Sequence, residues 1–284
     1  MGTTNYAYPE VLVTTDWALE HLHDRIVRFV EVDVDTKQFE KGHLEGAIGW
    51  NWQTQLQDQV RRDILGKEQL GSFLGDAGVT PATTIILYGD NNNWFAAYAF
   101  WLLKYYGHND VRLINGGRKK WAAEGKPLTD YYPLYPKSVY KILSVNADLR
   151  VTRDYVLNRL KAAGSGLVDV RSPDEYTGMI IAPLGMSETA QRGGHIPGAK
   201  NIPWSQAVNE NGTFKSAEEL QALYDGKGIT HDFDVVVTYC RIGERSSHSW
   251  FVLKYLLGYP DVRNYDGSWT EWGNLIGAPI ERQE

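Results

Sequence analysis

Cysteine is almost absent: the chain of 284 residues holds one, Cys240. A lone thiol excludes any intramolecular disulfide and any site built on several thiolates. No apolar run approaches the roughly 20 residues that span a bilayer, so no membrane partner is expected. Residues 1–10 lack the basic start, apolar stretch and small-residue cleavage site of a secretory leader. The expected address is the cytoplasm. Surplus positive charge is missing as well. A net charge of −6 argues against a protein whose main task is gripping nucleic acid or anionic lipid, while leaving room for a small anion in a local basic pocket. Asn115-Gly116-Gly117 follows a strand-like run but lacks the rest of a nucleotide fingerprint, and no cofactor is expected. His21 and His23 lie two apart, a spacing that does not put ligands on one helical face, so no metal is expected either. What remains is ordinary for a globular chain: 43% apolar and 23% charged residues, with 10 Trp and 17 Tyr that a disordered chain does not carry. At about 150 residues per domain, the length suggests two domains.

The chain repeats itself. Ile85-Ile86-Leu87-Tyr88, Leu102, Gly107, Asp110-Val111-Arg112, Gly116 and Trp121 return 151 positions later, without a gap, as Val236-Val237-Thr238-Tyr239, Leu253, Gly258, Asp261-Val262-Arg263, Gly267 and Trp272. His43-Leu44-Glu45-Gly46-Ala47 returns as His195-Ile196-Pro197-Gly198-Ala199 at an offset of 152. Phe29-Val30-Glu31-Val32 returns as Leu167-Val168-Asp169-Val170 at an offset of 138. The difference of 14 points to an insertion in the second copy, with Met179 to Arg192 as the candidate. So long a period marks a duplicated domain rather than a solenoid repeat. The domains are expected over 1–130 and 147–284, joined by a linker over 131–146. There Tyr131-Tyr132-Pro133-Leu134-Tyr135-Pro136 suits neither helix nor central strand, and its aromatic content suggests a linker packed onto the domains. In the second copy Val235 to Tyr239 reads as a strand buried on both faces. Ser246 to Leu257 reads as a helix carrying Trp250, Leu253 and Leu257, stopped by Gly258, and Val262 to Tyr265 reads as another strand. The alternation predicts an α/β fold, each domain a parallel sheet with helices on both faces and ligands meeting the strand ends.

Chemistry concentrates in Tyr239-Cys240-Arg241-Ile242-Gly243-Glu244-Arg245-Ser246. Cys240 falls where a buried strand ends and a helix is about to begin. A helix start leaves about four N–H groups without partners and carries partial positive charge. A loop containing Gly243 can also curl its N–H groups around an anion. Arg241 and Arg245 add two permanent charges, and one cation at 4 Å is worth roughly 4 kcal/mol at an effective dielectric of 20. These surroundings predict a thiol pulled from ~8.5 into the range of about 3.5 to 7.5, and so a nucleophile. The other reading, a cysteine packed as a small core hydrophobe, sits poorly beside two arginines. The first copy is an internal control. Gly89 stands opposite Cys240, followed by Asp90 and Asn91-Asn92-Asn93-Trp94, so the fold requires neither the thiol nor the paired arginines.

The Cys-Arg-x-Gly-x-Arg loop, the Gly194-His195-Ile196-Pro197-Gly198-Ala199 box and Asp266-Gly267-Ser268-Trp269 together resemble a tandem-domain rhodanese, a thiosulfate sulfurtransferase, over nearly the whole chain. The resemblance implies two rhodanese-like domains, the first catalytically silent and the second catalytic. It also implies that Cys240 takes the outer sulfur of thiosulfate, releases sulfite and holds the sulfur as a persulfide. A thiophilic acceptor, cyanide or a thiol protein, then removes it. Thiosulfate is a small dianion, so Arg241 and Arg245 are expected to offset its charge. The loop N–H groups of Ile242, Gly243, Glu244 and Ser246 are expected to cradle the transferred sulfur. Arg171 matches the family's substrate-binding arginine and would grip sulfonate oxygens through a bidentate fork. A surface salt bridge with Asp174 or Glu175 is its other reading. Ile242 stands where the best-known vertebrate pattern has lysine, and Arg245 is the candidate replacement for that lost cation.

Three rivals come from other classes. Cell-cycle-type phosphatases share the fold but use a Cys-x5-Arg loop. Four residues separate Cys240 from Arg245, a smaller ring that suits one sulfur atom better than a phosphoryl group. Mercaptopyruvate sulfurtransferases share the tandem layout, with a loop that typically resembles Cys-Gly-x-Gly, so Arg241 favours thiosulfate. The third is a non-enzymatic persulfide carrier or binding module, against which the intact arginine set speaks. His43 and His195 occupy the same box in both copies, which points to a shared structural job in a turn. His248 has no evident acid partner, and Ser246 and Ser247 read as helix caps. Trp269 and Trp272 are expected to pack core or interdomain surface, with Trp269 a candidate for the pocket mouth.

Overall fold

Two short apolar runs, Thr84–Tyr88 and Val235–Tyr239, are buried along their whole length, as a strand must be when helices cover both faces of its sheet. A computed structural model describes residues 5–160, 162–185 and 190–282 and places each run inside a parallel sheet. The first sheet contains β1 (Leu12–Val13), β2 (Val27–Asp33), β3 (Ile48–Asn51), β4 (Thr84–Tyr88) and β5 (Val111–Ile114), in the order β1-β5-β4-β2-β3. The second contains β6 (Ser165–Asp169), β7 (Lys200–Asn201), β8 (Val235–Tyr239) and β9 (Val262–Asn264), in the order β7-β6-β8-β9. Every pairing is parallel. Parallel neighbours need crossover connections, and helices such as Trp94–Tyr105 after β4 and Glu244–Phe251 after β8 supply them. The protein is an α/β chain with two such sheets. Register repeats along with sequence: Glu31 lies opposite Tyr88 in one sheet, and Asp169 opposite Tyr239 in the other.

The helix after β8 starts at Glu244, two residues before the expected Ser246, and continues from Val252 to Leu256 with π-type hydrogen bonding. The early start follows from Gly243, whose φ of +100° opens the helix. Ser246 and Ser247 do not cap it as expected: the Ser247 hydroxyl donates back to the Gly243 carbonyl at 2.7 Å, and the Ser246 hydroxyl donates to Asn264 Oδ1 at 2.6 Å. Trp250 and Leu253 are buried as expected, and Gly258 takes a φ of +73° just beyond the helix.

Two compact units result. One gathers residues 10–146 with 210–214, and the other gathers residues 5–9, 147–209 and 215–282. In the first, residues 131–146 run without helix or strand over their own unit. Tyr135 lies under the Arg28 guanidinium and donates from its hydroxyl to the Gly46 carbonyl at 2.7 Å. The Ser138 amide donates to the Gly75 carbonyl at 2.9 Å. Gly71 and Gly75 permit that approach, since a Cβ there would stand 2.7 Å from Tyr140 O and 2.5 Å from Ser138 O. In the second unit the N-terminal segment is tied down by the Ala7 amide donating to Leu256 O at 2.9 Å. The candidate insertion Met179 to Arg192 carries no helix or strand among its described residues, and its residues 186–189 lie outside them. No helix among the described residues is long and apolar enough to cross a membrane.

The paired histidines have the structural job expected of them. His43 stacks on Phe39 at 3.9 Å and bonds through Nδ1 to the Phe39 carbonyl. His195 stacks on Tyr176 at 3.6 Å and bonds through Nδ1 to the Tyr176 carbonyl. Beside each box a buried tyrosine hydroxyl accepts a backbone N–H, Leu44 to Tyr88 and Ile196 to Tyr239.

Candidate active site

β8 ends at Tyr239, and the next residue, Cys240, is fully buried. Its backbone is held at both ends by the Asp266-Gly267-Ser268-Trp269 segment. The Cys240 amide donates to Ser268 Oγ at 3.1 Å, and its carbonyl accepts from the Trp269 amide at 3.1 Å. Ser268 itself donates to the Tyr265 carbonyl at 2.7 Å, which fixes the hydroxyl as an acceptor for Cys240. The motif is visible in the sequence, but its grip on the Cys240 backbone is not. Trp269 and Trp272 are both fully buried core residues.

The loop turns at Gly243, where a Cβ would stand 2.9 Å from the Asp266 Cβ and the positive φ would strain any side chain. The turn points the Gly243 amide at Cys240 Sγ, 3.1 Å away, and the Ser246 amide also donates to the sulfur. Ile242 is buried within the same loop. Glu244 does something the sequence did not suggest: its Oε2 lies 3.4 Å from Cys240 Sγ and accepts from the thiol.

The arginines are not the free cations that sequence counting implies. Arg245 donates from Nη1 and Nη2 to the two oxygens of Glu175, at 2.9 and 3.0 Å, and both side chains are buried. Arg171 is fully buried and makes neither of the surface bridges considered for it. It donates through Nε and Nη2 to Asp169, at 3.0 and 2.6 Å, and through Nη2 to the Gly194 carbonyl at 2.7 Å. Its guanidinium lies 4.4 Å from the centre of the Trp269 ring, and its Nη1 is buried without a hydrogen-bond partner. Arg241 is buried with Nη2 3.9 Å from Glu244 Oε1. Each arginine therefore lies against a carboxylate, with Glu244 shared between Arg241 and Arg245.

That balance overturns the expected acidic thiol. Burial, and then the Glu244 carboxylate, push the Cys240 thiol above its ordinary value, and they outweigh Arg245 and the Ser246 and Gly243 amides. Burial works against the charge of Arg245, yet Glu175 and its other anionic neighbours hold its pKa above the usual arginine range. Glu175 is held below the usual carboxylate range, because Arg245 outweighs the effect of burial. His248 lies beside the Trp204 ring, and burial pushes its pKa down to about 3, so it is neutral.

The equivalent loop of the first unit is built for something else. A Cβ on Gly89 would stand 2.5 Å from the Val32 carbonyl, so a cysteine does not fit there. Asn93, in the place of Glu244, locks the loop by accepting from the Gly89 amide at 2.9 Å and donating to the Ile114 carbonyl at 2.7 Å. Asp33 and Asp90 take the places of Arg171 and Arg241. Burial, then the neighbouring Asp90 and Glu31, push Asp33 up to about 8. The buried carboxylate at the strand end persists in both copies, but its cation comes from different positions. Arg118 serves Glu31 at 2.7 Å, and the second copy has Trp269 at that position and supplies Arg171 instead.

Comparison with known proteins agrees with this duplicated arrangement. The profile of the Rhodanese-like domain matches residues 14–124 and again 152–275. A protein named "Sulfur carrier protein TtuD" from Thermus thermophilus is 57% identical over 283 residues, covering 98% of this chain and 99% of its own. One named "Putative thiosulfate sulfurtransferase" from Haloferax volcanii is 53% identical over 287 residues, covering 99% of each. Among solved structures, SseA from Escherichia coli, a 3-mercaptopyruvate sulfotransferase, superposes with a TM-score of 0.80 at 24% identity, over 91% of this chain and 98% of that one. An anaerobic ergothioneine biosynthesis enzyme from Chlorobium limicola gives 0.85 at 24% identity, over 100% of this chain and 73% of that one, and both likenesses speak to the fold alone. With the domain matched in each half and relatives alike along almost their whole length, the chain belongs to the rhodanese family.

Proposed function

We propose that this protein is a sulfurtransferase that carries sulfur on Cys240, taking the outer sulfur of thiosulfate, releasing sulfite and passing the sulfur to a thiophilic acceptor. The observation that carries the reading is the setting of Sγ, with the Gly243 amide at 3.1 Å and a helix start beneath it. N–H groups aimed at that point stabilise a thiolate, and then the terminal sulfur of a persulfide, which is also anionic. In this reading residues 147–284 are the catalytic domain and residues 1–130 a silent one, consistent with Gly89 in the place of Cys240. Arg171 and Arg245 each retain one buried donor without a hydrogen-bond partner, Nη1 and Nε respectively, to offer an anion. Sγ is buried, so turnover includes a local opening that admits the donor. A single free cysteine used this way suits a reducing compartment such as the cytoplasm.

A second reading, a persulfide carrier that hands its sulfur to a thiol protein, is favoured by the charge balance. Three arginines matched by Asp169, Glu175 and Glu244 leave little surplus charge to draw a dianion. The name of the Thermus relative points the same way. The test is mass spectrometry of the intact protein after thiosulfate. Wild type is expected to gain one sulfur atom on Cys240 with release of sulfite, and Cys240→Ser none. Thiocyanate formed from cyanide over many turnovers supports the enzyme, and a persulfide that cyanide does not turn over supports the carrier. Wild type that gains no sulfur refutes both.

A further inference from the structure

We propose that Glu244 accepts the Cys240 thiol proton as the sulfur is taken up and returns it when the sulfur leaves. The inference rests on the sulfur-transfer reading above and gives the Glu244 carboxylate, the hydrogen-bond partner of the thiol, a part in the chemistry. Its ground is geometric. Glu244 Oε2 is 3.4 Å from Sγ, both groups are buried, and the thiol donates to the carboxylate.

Charge conservation gives the physical reason. Ionising a buried thiol by releasing its proton to water adds a net negative charge where solvent cannot stabilise it. Passing the proton to a carboxylate in contact leaves the net charge of the pocket unchanged and only moves it from oxygen to sulfur. On sulfur it meets the Gly243 and Ser246 amides and the Arg245 guanidinium. A raised thiol pKa is then compatible with a nucleophile, since the thiolate need exist only while it attacks.

The steps balance. Sγ forms a bond to the outer sulfur of thiosulfate as its proton passes to Glu244 Oε2. The bond between the two thiosulfate sulfurs breaks, and its electron pair leaves with sulfite. The products are the anionic persulfide and a neutral Glu244 carboxyl. A thiophile such as cyanide then takes the terminal sulfur, the bond to Sγ breaks with its electrons on Sγ, and Glu244 returns the proton to restore the thiol. No oxidant or reductant is consumed.

Other charged groups around the pair do not compete for the proton. Arg241 and Arg245 lie on its own loop and helix, at 3.9 and 3.7 Å from Glu244 Oε1. Glu175, from the helix Pro173–Thr177, is taken by Arg245 through both oxygens. Asp266, packed on Gly243 from the segment after β9, is paired with Arg150 at 2.8 Å. The first unit is again a control. It lacks the thiol, and there the position of Glu244 holds Asn93, which has no proton to manage and bonds to backbone instead.

The test is Glu244→Gln, followed by rapid-quench mass measurement of persulfide formation from thiosulfate between pH 5.5 and 9.5. Loss of the acceptor is expected to slow this half-reaction near pH 7 by on the order of 100-fold, with recovery toward alkaline pH as solvent takes over the proton. If Glu244 were only a neighbouring negative charge, its removal would ease thiol ionisation. E244Q would then react as fast as wild type or faster near pH 7, with iodoacetamide alkylation shifted to lower pH, and that result overturns the proposal. Should E244Q fail to fold by circular dichroism, Glu244→Asp carries the test: withdrawing the carboxylate by one methylene is expected to slow persulfide formation, and an unchanged rate overturns the proposal. Wild type that takes up no sulfur overturns the sulfur-transfer reading itself, whereas uptake by wild type and E244Q at equal rates overturns only the role of Glu244.

Discussion

Replacing Glu175 with Gln tests whether the site is held by its ion pairs. Glu175 is fully buried and receives both terminal nitrogens of Arg245, at 2.9 and 3.0 Å. It also accepts from the Ser172 amide at 3.1 Å, closing the capping box that starts the helix Pro173–Thr177. Glutamine keeps the volume and one acceptor oxygen, but it removes the charge and turns an NH2 toward a guanidinium. Removing one partner of a buried pair costs about 3–5 kcal/mol, because the remaining charge is left without compensation. Solvent screening does not reduce that figure, since both side chains are inaccessible. For a domain of this size each kcal/mol lowers the unfolding midpoint by about 2–4 °C, so a drop of roughly 6–20 °C is expected. The assay is thermal and urea unfolding followed by circular dichroism at pH 7. A second readout follows from the same contact: released from Glu175, Arg245 acts more strongly on the sulfur, and iodoacetamide alkylation of Cys240 should shift to lower pH. An E175Q protein with an unchanged midpoint and an unchanged alkylation profile refutes the reasoning.

Two further perturbations probe other links. Gly243→Ala places a Cβ 2.9 Å from Asp266 Cβ at a φ of +100°; it should lower stability by about 1–3 kcal/mol and abolish persulfide formation, and retention of both would show that the turn tolerates a side chain. Asp33→Asn should stabilise the first unit at alkaline pH. With Asp33 raised to about 8 when folded, the neutral form is the favourable one, so its contribution is complete below about pH 4 and lost as pH rises through about 8. D33N should therefore match wild type near pH 4 and exceed it by about 1 kcal/mol or more at pH 8 in urea unfolding. An advantage that does not grow with pH would refute the assignment.

Much of the architecture was legible because burial leaves a mark on composition. A strand covered on both faces is mostly apolar, and Val235–Tyr239, with three valines in a row, announced itself to the residue, whereas buried β2 carries Arg28, Glu31 and Asp33 and was less plain. The duplication was legible because residues recur at fixed offsets, and some of them make the same hydrogen bonds in both copies, as His43 and His195 show. Charge was not legible. Arg241 and Arg245 are visible in the loop, but Glu175, which takes both terminal nitrogens of Arg245, lies 70 positions away. Ser172-x-x-Glu175 could be read as a capping box, yet nothing in that motif says which arginine the glutamate will meet. The part of the Glu244 side chain is hidden in the sequence for a related reason: the loop pattern speaks for its amide, and only the turn at Gly243 brings its carboxylate back to the sulfur.

The amino-acid sequence by itself determined that there are two copies of one α/β unit, and that a thiol stands at a strand end in only one of them. Apolar periodicity and repeated motifs are local properties, and they survive without coordinates. The tertiary structure alone decided which way the pKa of that thiol moves, because desolvation and Coulomb energy depend on which groups are close in space and how little water lies between them. Here those groups include carboxylates that pair with each arginine and one that touches the sulfur.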